Sequence, residues 1–170
     1  VALRKGFAAL LNRTRAHAEA EQQARAALEL APDNAEAHDI LAQALFHQKR
    51  HAEAVESFGR AAKRAPGDKI VLGRYAEGLV AFGDFAKAHD VLSTALRIAP
   101  YDQENLARMT IVLRMLGEER AYRSIADYDA LAKAIAVKAP EGYRDIAAFH
   151  AELAPYLQAK HLSKQHPTDQ

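Results

Sequence analysis

The 170-residue chain has no cysteine and no tryptophan, and only 8 glycines and 6 prolines. Without cysteine there is no disulfide and no thiolate metal site, although this leaves the compartment open. No apolar run approaches the roughly 18 residues of a membrane-spanning helix, so the sequence reads as soluble, with the cytoplasm as default expectation. Charge of either sign is not in excess: Lys+Arg 23 against Asp+Glu 22 leaves a net +1. That balance supplies no global field for nucleic acid or an anionic membrane, and neither is expected as a partner. The chain opens on Val1 rather than Met, without a signal-type cleavage site, and reads as a fragment or processed chain. What is plentiful is alanine. With β-branched residues sparse, such a composition favours helix nearly everywhere.

A repeat supplies the register. "APDN" begins at Ala31, "APGD" at Ala65 and "APYD" at Ala99, so Pro32, Pro66 and Pro100 are 34 residues apart. Aligned on that period, the repeats are 1–34, 35–68 and 69–102, with helix A of a fourth from 103. The eighth position is Ala8, Ala42 and Ala76; the twentieth is Ala20, Ala54 and Ala88; the twenty-seventh is Ala27, Ala61 and Ala95. A large apolar residue holds the seventh (Phe7, Leu41, Tyr75, Met109), and Leu11, Leu45, Leu79 and Leu113 hold the eleventh. Two antiparallel helices approach closely only where side chains are small, and the large residue fills the remaining groove. Each repeat is then a helix A (35–48, for example), a short turn, and a helix B (52–65). Proline closes each helix B, and the Asp or Asn after it can cap the next helix A.

These residues resemble the tetratricopeptide repeat (TPR) family, whose pattern also has a period of 34. Residues 35–68 fit best, with Leu41, Ala54, Phe58 and Pro66 in place, while His38, Ala42 and Leu45 depart from the usual Trp, Gly and Tyr. The resemblance covers 1–117 and implies an all-α, right-handed superhelical solenoid of antiparallel helix pairs. It also implies a protein-interaction scaffold rather than an enzyme.

The period fails where a fourth proline motif would fall, at 133–136. Residues 118–138 read as an atypical capping segment, helical over at least 119–130, with Tyr122 standing where the other repeats have alanine. Residues 131–137 fit helix or strand. From 139 to 170 the chain reads as a linker, a C-terminal helix with a kink or break at Pro155, and a frayed polar tail. "APEGYRDIAAFHAEL…HLSKQHPTDQ" resembles the segment that joins a TPR array to the catalytic domain of 2-oxoglutarate/Fe(II) oxygenases. That resemblance implies a recruitment arm of a larger enzyme, with the iron ligands beyond this chain.

Catalytic candidates do not survive their geometry. His17/Glu19, His51/Glu53 and His150/Glu152 have the His-x-carboxylate spacing of an iron triad. On a helix, however, residues two apart lie about 200° apart around the axis. His47 and His51 are four apart, but at a turn and with no Glu between them. There is no G-x-S-x-G, and Gly73 and Gly78 form no phosphate loop. No catalytic residue, metal site or cofactor is expected.

The expected functional surface is the concave face lined by the A helices. Position by position, the TPR resemblance places Lys5, Asp39, Gln43, Phe46, His47, Arg74, Glu77, Arg108 and Arg114 there. Arg74 and Arg108 lie one repeat apart and should sit side by side, suited to a carboxylate. Lys5 fits one position of the clamp by which some TPR domains hold a C-terminal carboxylate, but Ala9 stands where Asn is expected, and Ile40 and Ile70 are apolar. A protein or peptide partner in this groove is the leading expectation. A homodimer through the C-terminal face is the structural alternative.

Overall fold

The computed structural model describes residues 1–127 and 138–160. The 131–137 segment and the tail from 161 lie outside the described residues. Eight helices fill the first compact unit, Val1–Asp127: α1 (Ala2–Arg13), α2 (His17–Leu30), α3 (Ala35–His47), α4 (His51–Arg64), α5 (Lys69–Phe82), α6 (Phe85–Ile98), α7 (Gln103–Leu116) and α8 (Glu119–Ile125). Among the described residues there is no strand. Each helix packs on the next, and α1 on α3 and α5 on α7 also touch, so odd-numbered helices form one layer and even-numbered helices the other. The architecture is an all-α helix-pair solenoid.

Local chemistry sets the punctuation. Helices α2, α4 and α6 each end two positions before Pro32, Pro66 and Pro100, with C-caps Ala31, Ala65 and Ala99 between. The polar residue two beyond each proline then starts the next helix. Asn34 Oδ1 accepts from Ala37 N at 2.9 Å, Asp68 Oδ1 from Ile70 N at 2.8 Å, and Asp102 Oδ1 from Asn105 N at 3.0 Å. One short motif therefore ends one helix and caps the next.

The core runs along the seam between the two layers. The nine alanines at positions eight, twenty and twenty-seven are fully buried, and Leu45, Leu79, Leu92 and Val112 fill the space between them. Glycine serves a similar purpose at one crossing, where a Cβ on Gly78 would stand 2.9 Å from Phe58 Cδ2. The Phe58 ring lies so close to the α5 backbone there that an added methyl group would have to displace it.

The fourth repeat differs. Helix α8 ends at Ile125, where Ala126 leaves helical geometry, so the expectation of helix through 130 is not met at 126 and 127. It is half the length of the other even-numbered helices and buries no residue. Tyr122, where the others have alanine, is only partly buried, with the Arg114 guanidinium 5.3 Å from its ring centre. A ring cannot enter the seam that a methyl group enters.

In the second unit, Tyr128–Gln170, the described part contains α9 (Ile146–Lys160). Asp145 Oδ1 accepts from Ala148 N at 2.8 Å and starts it. Of the kink or break expected at Pro155, the break is absent, because α9 runs through it. Loss of one N–H···O bond is tolerable inside a helix that continues for more than a turn on both sides.

Candidate functional site: the face of the odd-numbered helices

Three concavities follow one another along α1, α3, α5 and α7. The first, about 420 Å³, is lined by Asn12, Arg13, Asp39, Gln43, His47 and Arg74, with Ile40 and Ala9 as apolar floor. The second, about 340 Å³, shares Arg74 and adds Lys69, Ile70, Asn105 and Arg108. The third, about 360 Å³, shares Arg108 and Glu104 with the second and is walled by Val80, Ala107 and Ile111. Shared walls make them one continuous groove.

Its charges are tied to one another across repeats. Lys5 on α1 pairs with Glu36 on α3, and Lys69 on α5 with Asp102 at the start of α7. Arg74 on α5 reaches Asp39 Oδ2 on α3 at 2.5 Å, and Arg108 on α7 reaches Glu77 on α5 at 3.3 Å. Arg108 also lies 3.3 Å from Glu104 on its own helix. Every one of these cations therefore has an acid beside it. Most of these pairs are solvent-exposed and contribute little to stability, roughly 0–1 kcal/mol each. Their consequence is for recognition: an incoming carboxylate must displace an acid already in place.

Asp39 is the exception in burial, at 4% exposed. Gln43 Nε2 donates to its Oδ2 at 2.8 Å, while Oδ1 is buried with no hydrogen-bond partner. Burial pushes this carboxyl above the usual carboxylate range, and the adjacent Arg74 guanidinium pulls against that rise. At the same end of the groove, His17 and His47 stack with ring centres 4.6 Å apart. Burial, then the neighbouring His47 and Arg15, lower the His17 pKa.

The structure gathers Asp39, Gln43, His47 and Arg74 in one concavity, and Glu77 and Arg108 in the third. Arg74 and Arg108 both line the middle one. Lys5 lies at the rim through its partner Glu36, while Phe46 and Arg114 line none of the three. Phe46 packs against the core and meets the rings of His47 and His51 edge-on, at 5.7 and 5.4 Å. Sequence reasoning missed the cross-repeat pairs. A signal was present: opposite charges 31 to 35 residues apart, as in Lys5/Glu36 and Asp39/Arg74. Among the described residues, no three His, Asp or Glu side chains come together in a way that could hold a metal ion.

Residues 45–110 match the tetratricopeptide repeat family model. That stretch, less than half of the chain, is similar to TPRs. Among solved structures, MamA (AMB-1) is 18% identical, with a TM-score of 0.66, over 79% of this chain and 74% of that one. The first TPR of Spaghetti (RPAP3), bound to the HSP90 peptide SRMEEVD, is 16% identical, with a TM-score of 0.65, over 68% of this chain and 91% of that one. O-GlcNAc transferase of Thermobaculum terrenum is 22% identical, with a TM-score of 0.61, over 65% of this chain but 21% of that one. No curated protein matches the chain. At these identities the likeness shows the TPR solenoid fold.

Proposed function

We propose that the TPR array is a binding module, not an enzyme, and that its concave face holds an extended or helical segment of a protein partner. The observation that carries this reading is the unbroken groove, in which three concavities share Arg74, Glu104 and Arg108 as common walls. Its apolar contacts come from Ile70 and Ile111, both about half exposed, and from Val80. Its polar contacts come from the ion-pair ladder. RPAP3 supplies a precedent for a TPR holding a peptide. The acidic tail of that peptide is a poor match here, because Lys5, Arg74 and Arg108 already have acids beside them. A segment of mixed charge with one or two aliphatic anchors suits this groove better.

The test is selection of binding peptides from a random library, followed by titration against wild type and Ile111→Glu. The expected outcome is a loss of affinity of at least tenfold with an unchanged melting temperature. Full retention of affinity by the variant would place the binding surface elsewhere.

A second reading is that the array is the recruiting arm of a larger enzyme, as the oxygenase resemblance implies. The likeness to about a fifth of the Thermobaculum terrenum transferase favours it. Sequencing the gene on both sides of this chain decides between them: an adjoining catalytic domain supports the arm, and its absence removes that reading.

A further inference from the structure

The layer of even-numbered helices carries two grooves of its own, at equivalent places in successive repeats and of opposite charge. The first, about 480 Å³, lies between α2 and α4 over α3; the second, about 670 Å³, lies between α4 and α6 over α5. Both have a helix on either side and lie inside the array. Position twenty-nine of the leading wall is Glu29 in the first groove and Lys63 in the second. Position nineteen of the far wall is Glu53 in the first and Lys87 in the second. Two acids in one groove are replaced by two bases in the next. Position twenty-five differs as well, with Arg25 in the first groove and Gly59 in the second. A Cβ on Gly59 would stand 3.2 Å from the Tyr75 hydroxyl. The glycine leaves that ring uncovered, and with Val55, Leu72 and Val91 it gives the second groove an apolar lining.

The lysines of the second groove are unclaimed. Among the described residues no acid pairs with Lys63 or Lys87. Lys87 Nζ lies 5.6 Å from the centre of the Tyr75 ring, and the adjoining Tyr75 hydroxyl raises its pKa. The acids of this groove have other neighbours: Glu56 pairs with Arg60 at 2.5 Å, and Asp90 lies 3.6 Å from His89 Nδ1. This is the reverse of the concave face, where Lys5, Arg74 and Arg108 each have an acid beside them.

We propose that the groove between α4 and α6 docks an amphipathic helix of a protein partner, apolar along one face and with a carboxylate toward each end. Charge complementarity and spacing argue for that occupant. Lys63 stands ten residues beyond the α4 position equivalent to Lys87, roughly 15 Å further along the axis. The two cations therefore mark opposite walls and opposite ends, with the apolar lining between them. A small carboxylate reaches one lysine, whereas a helix with acids about ten residues apart reaches both. The chain's own α9 has one acid within its span, Glu152, and does not offer this pattern. The neighbouring groove, with Glu29 and Glu53 in the corresponding places, repels the same helix and so restricts where along the array it binds.

The probe is a hydrocarbon-stapled, fluorescein-labelled helix of leucine and alanine with two glutamates about ten residues apart, beside a twin with lysines in those places. Titrated with the full chain, the glutamate helix should give a saturable rise in anisotropy that weakens with salt. It should bind at least tenfold more tightly than its twin. Lys63→Glu/Lys87→Glu gives this groove the charges of its neighbour, and should cost at least tenfold and reverse the preference. Both lysines are exposed, and circular dichroism checks that the variant keeps wild-type melting. Ile111→Glu on the concave face should change nothing, so failure here and failure of the concave-face reading are separate results. No binding, equal binding of the two helices, or sensitivity to Ile111→Glu in place of the double reversal overturns the proposal. Three further outcomes overturn it in favour of another occupant. One is binding by this chain that a longer product of the same gene lacks, which assigns the groove to a flanking segment. Another is cosedimentation with phosphatidylserine vesicles, abolished by the double reversal, without peptide binding. The last is a concentration-dependent dimer by light scattering that the double reversal dissolves.

Discussion

Position fifteen of each repeat turns the chain from one helix to the next with a left-handed backbone. Gly83 and Gly117 do this at φ 96° and 74°, while Arg15 and Lys49 are held at φ 64°. A side chain in that region costs roughly 1–2 kcal/mol against the right-handed one, a cost glycine avoids. Lys49→Gly is therefore expected to stabilise the chain by about 0.5–1 kcal/mol, since Lys49 is exposed and its loss removes no packing. Urea denaturation checks this, and a loss of stability would mean that the lysine side chain makes a contact of its own. His38 carries the other residue-scale expectation. Its Nε2 donates to Pro32 O at 2.8 Å and its Nδ1 is buried without a partner. Burial is the largest influence on it and lowers its pKa, against the smaller opposing effect of the Pro32 hydrogen bond. The unfolded chain then binds more protons than the folded one below the ordinary imidazole value of about 6.5. Stability is full above that pH and declines as pH falls through the lower folded pKa. Urea midpoints at pH 7.5 and 5.5 should show the decline, and His38→Gln should shrink it; His17, lowered for a similar reason, supplies the remainder.

Among elements, the decisive quantity is how closely paired helices approach. Ala54 on α4 is fully buried. Ala54→Phe must push α4 away from its neighbours, and a loss of roughly 1–3 kcal/mol is expected. A neutral result in denaturant titration would mean that this seam is looser than its burial indicates. The sequence made this seam legible because small side chains at fixed spacing have one physical use, close contact. The same holds for caps, since Asn34, Asp68 and Asp102 act within three residues of themselves. Groove chemistry was less legible. Lys5, Arg74 and Arg108 stand on the expected helices, but whether a cation is free or already paired depends on a residue 31 to 35 positions away. Phe46 illustrates the limit: the TPR resemblance placed it on the groove face, and its ring packs on the core and against two histidines.

For the whole array, stability is the sum of helix pairs and the interfaces between neighbours. The interior pairs have a neighbour on each side. Helix α1 has none over Leu3, Phe7 and Leu10, and α8 buries nothing. Native-state hydrogen exchange should therefore be slowest in α3 to α6 and fastest in α1 and α8. Uniform protection along the array would mean that it opens as a single unit. The period of 34, the helix ends and the alanine seam are all local or periodic, so the order of residues alone prescribes them. Which charges cancel, how far Asp39 is buried, and that Phe7 faces water while Leu41, Tyr75 and Met109 do not, follow from what packs against each residue. Identical positions in a repeat read alike in sequence. Their neighbours differ in space, and burial and pairing are properties of neighbours.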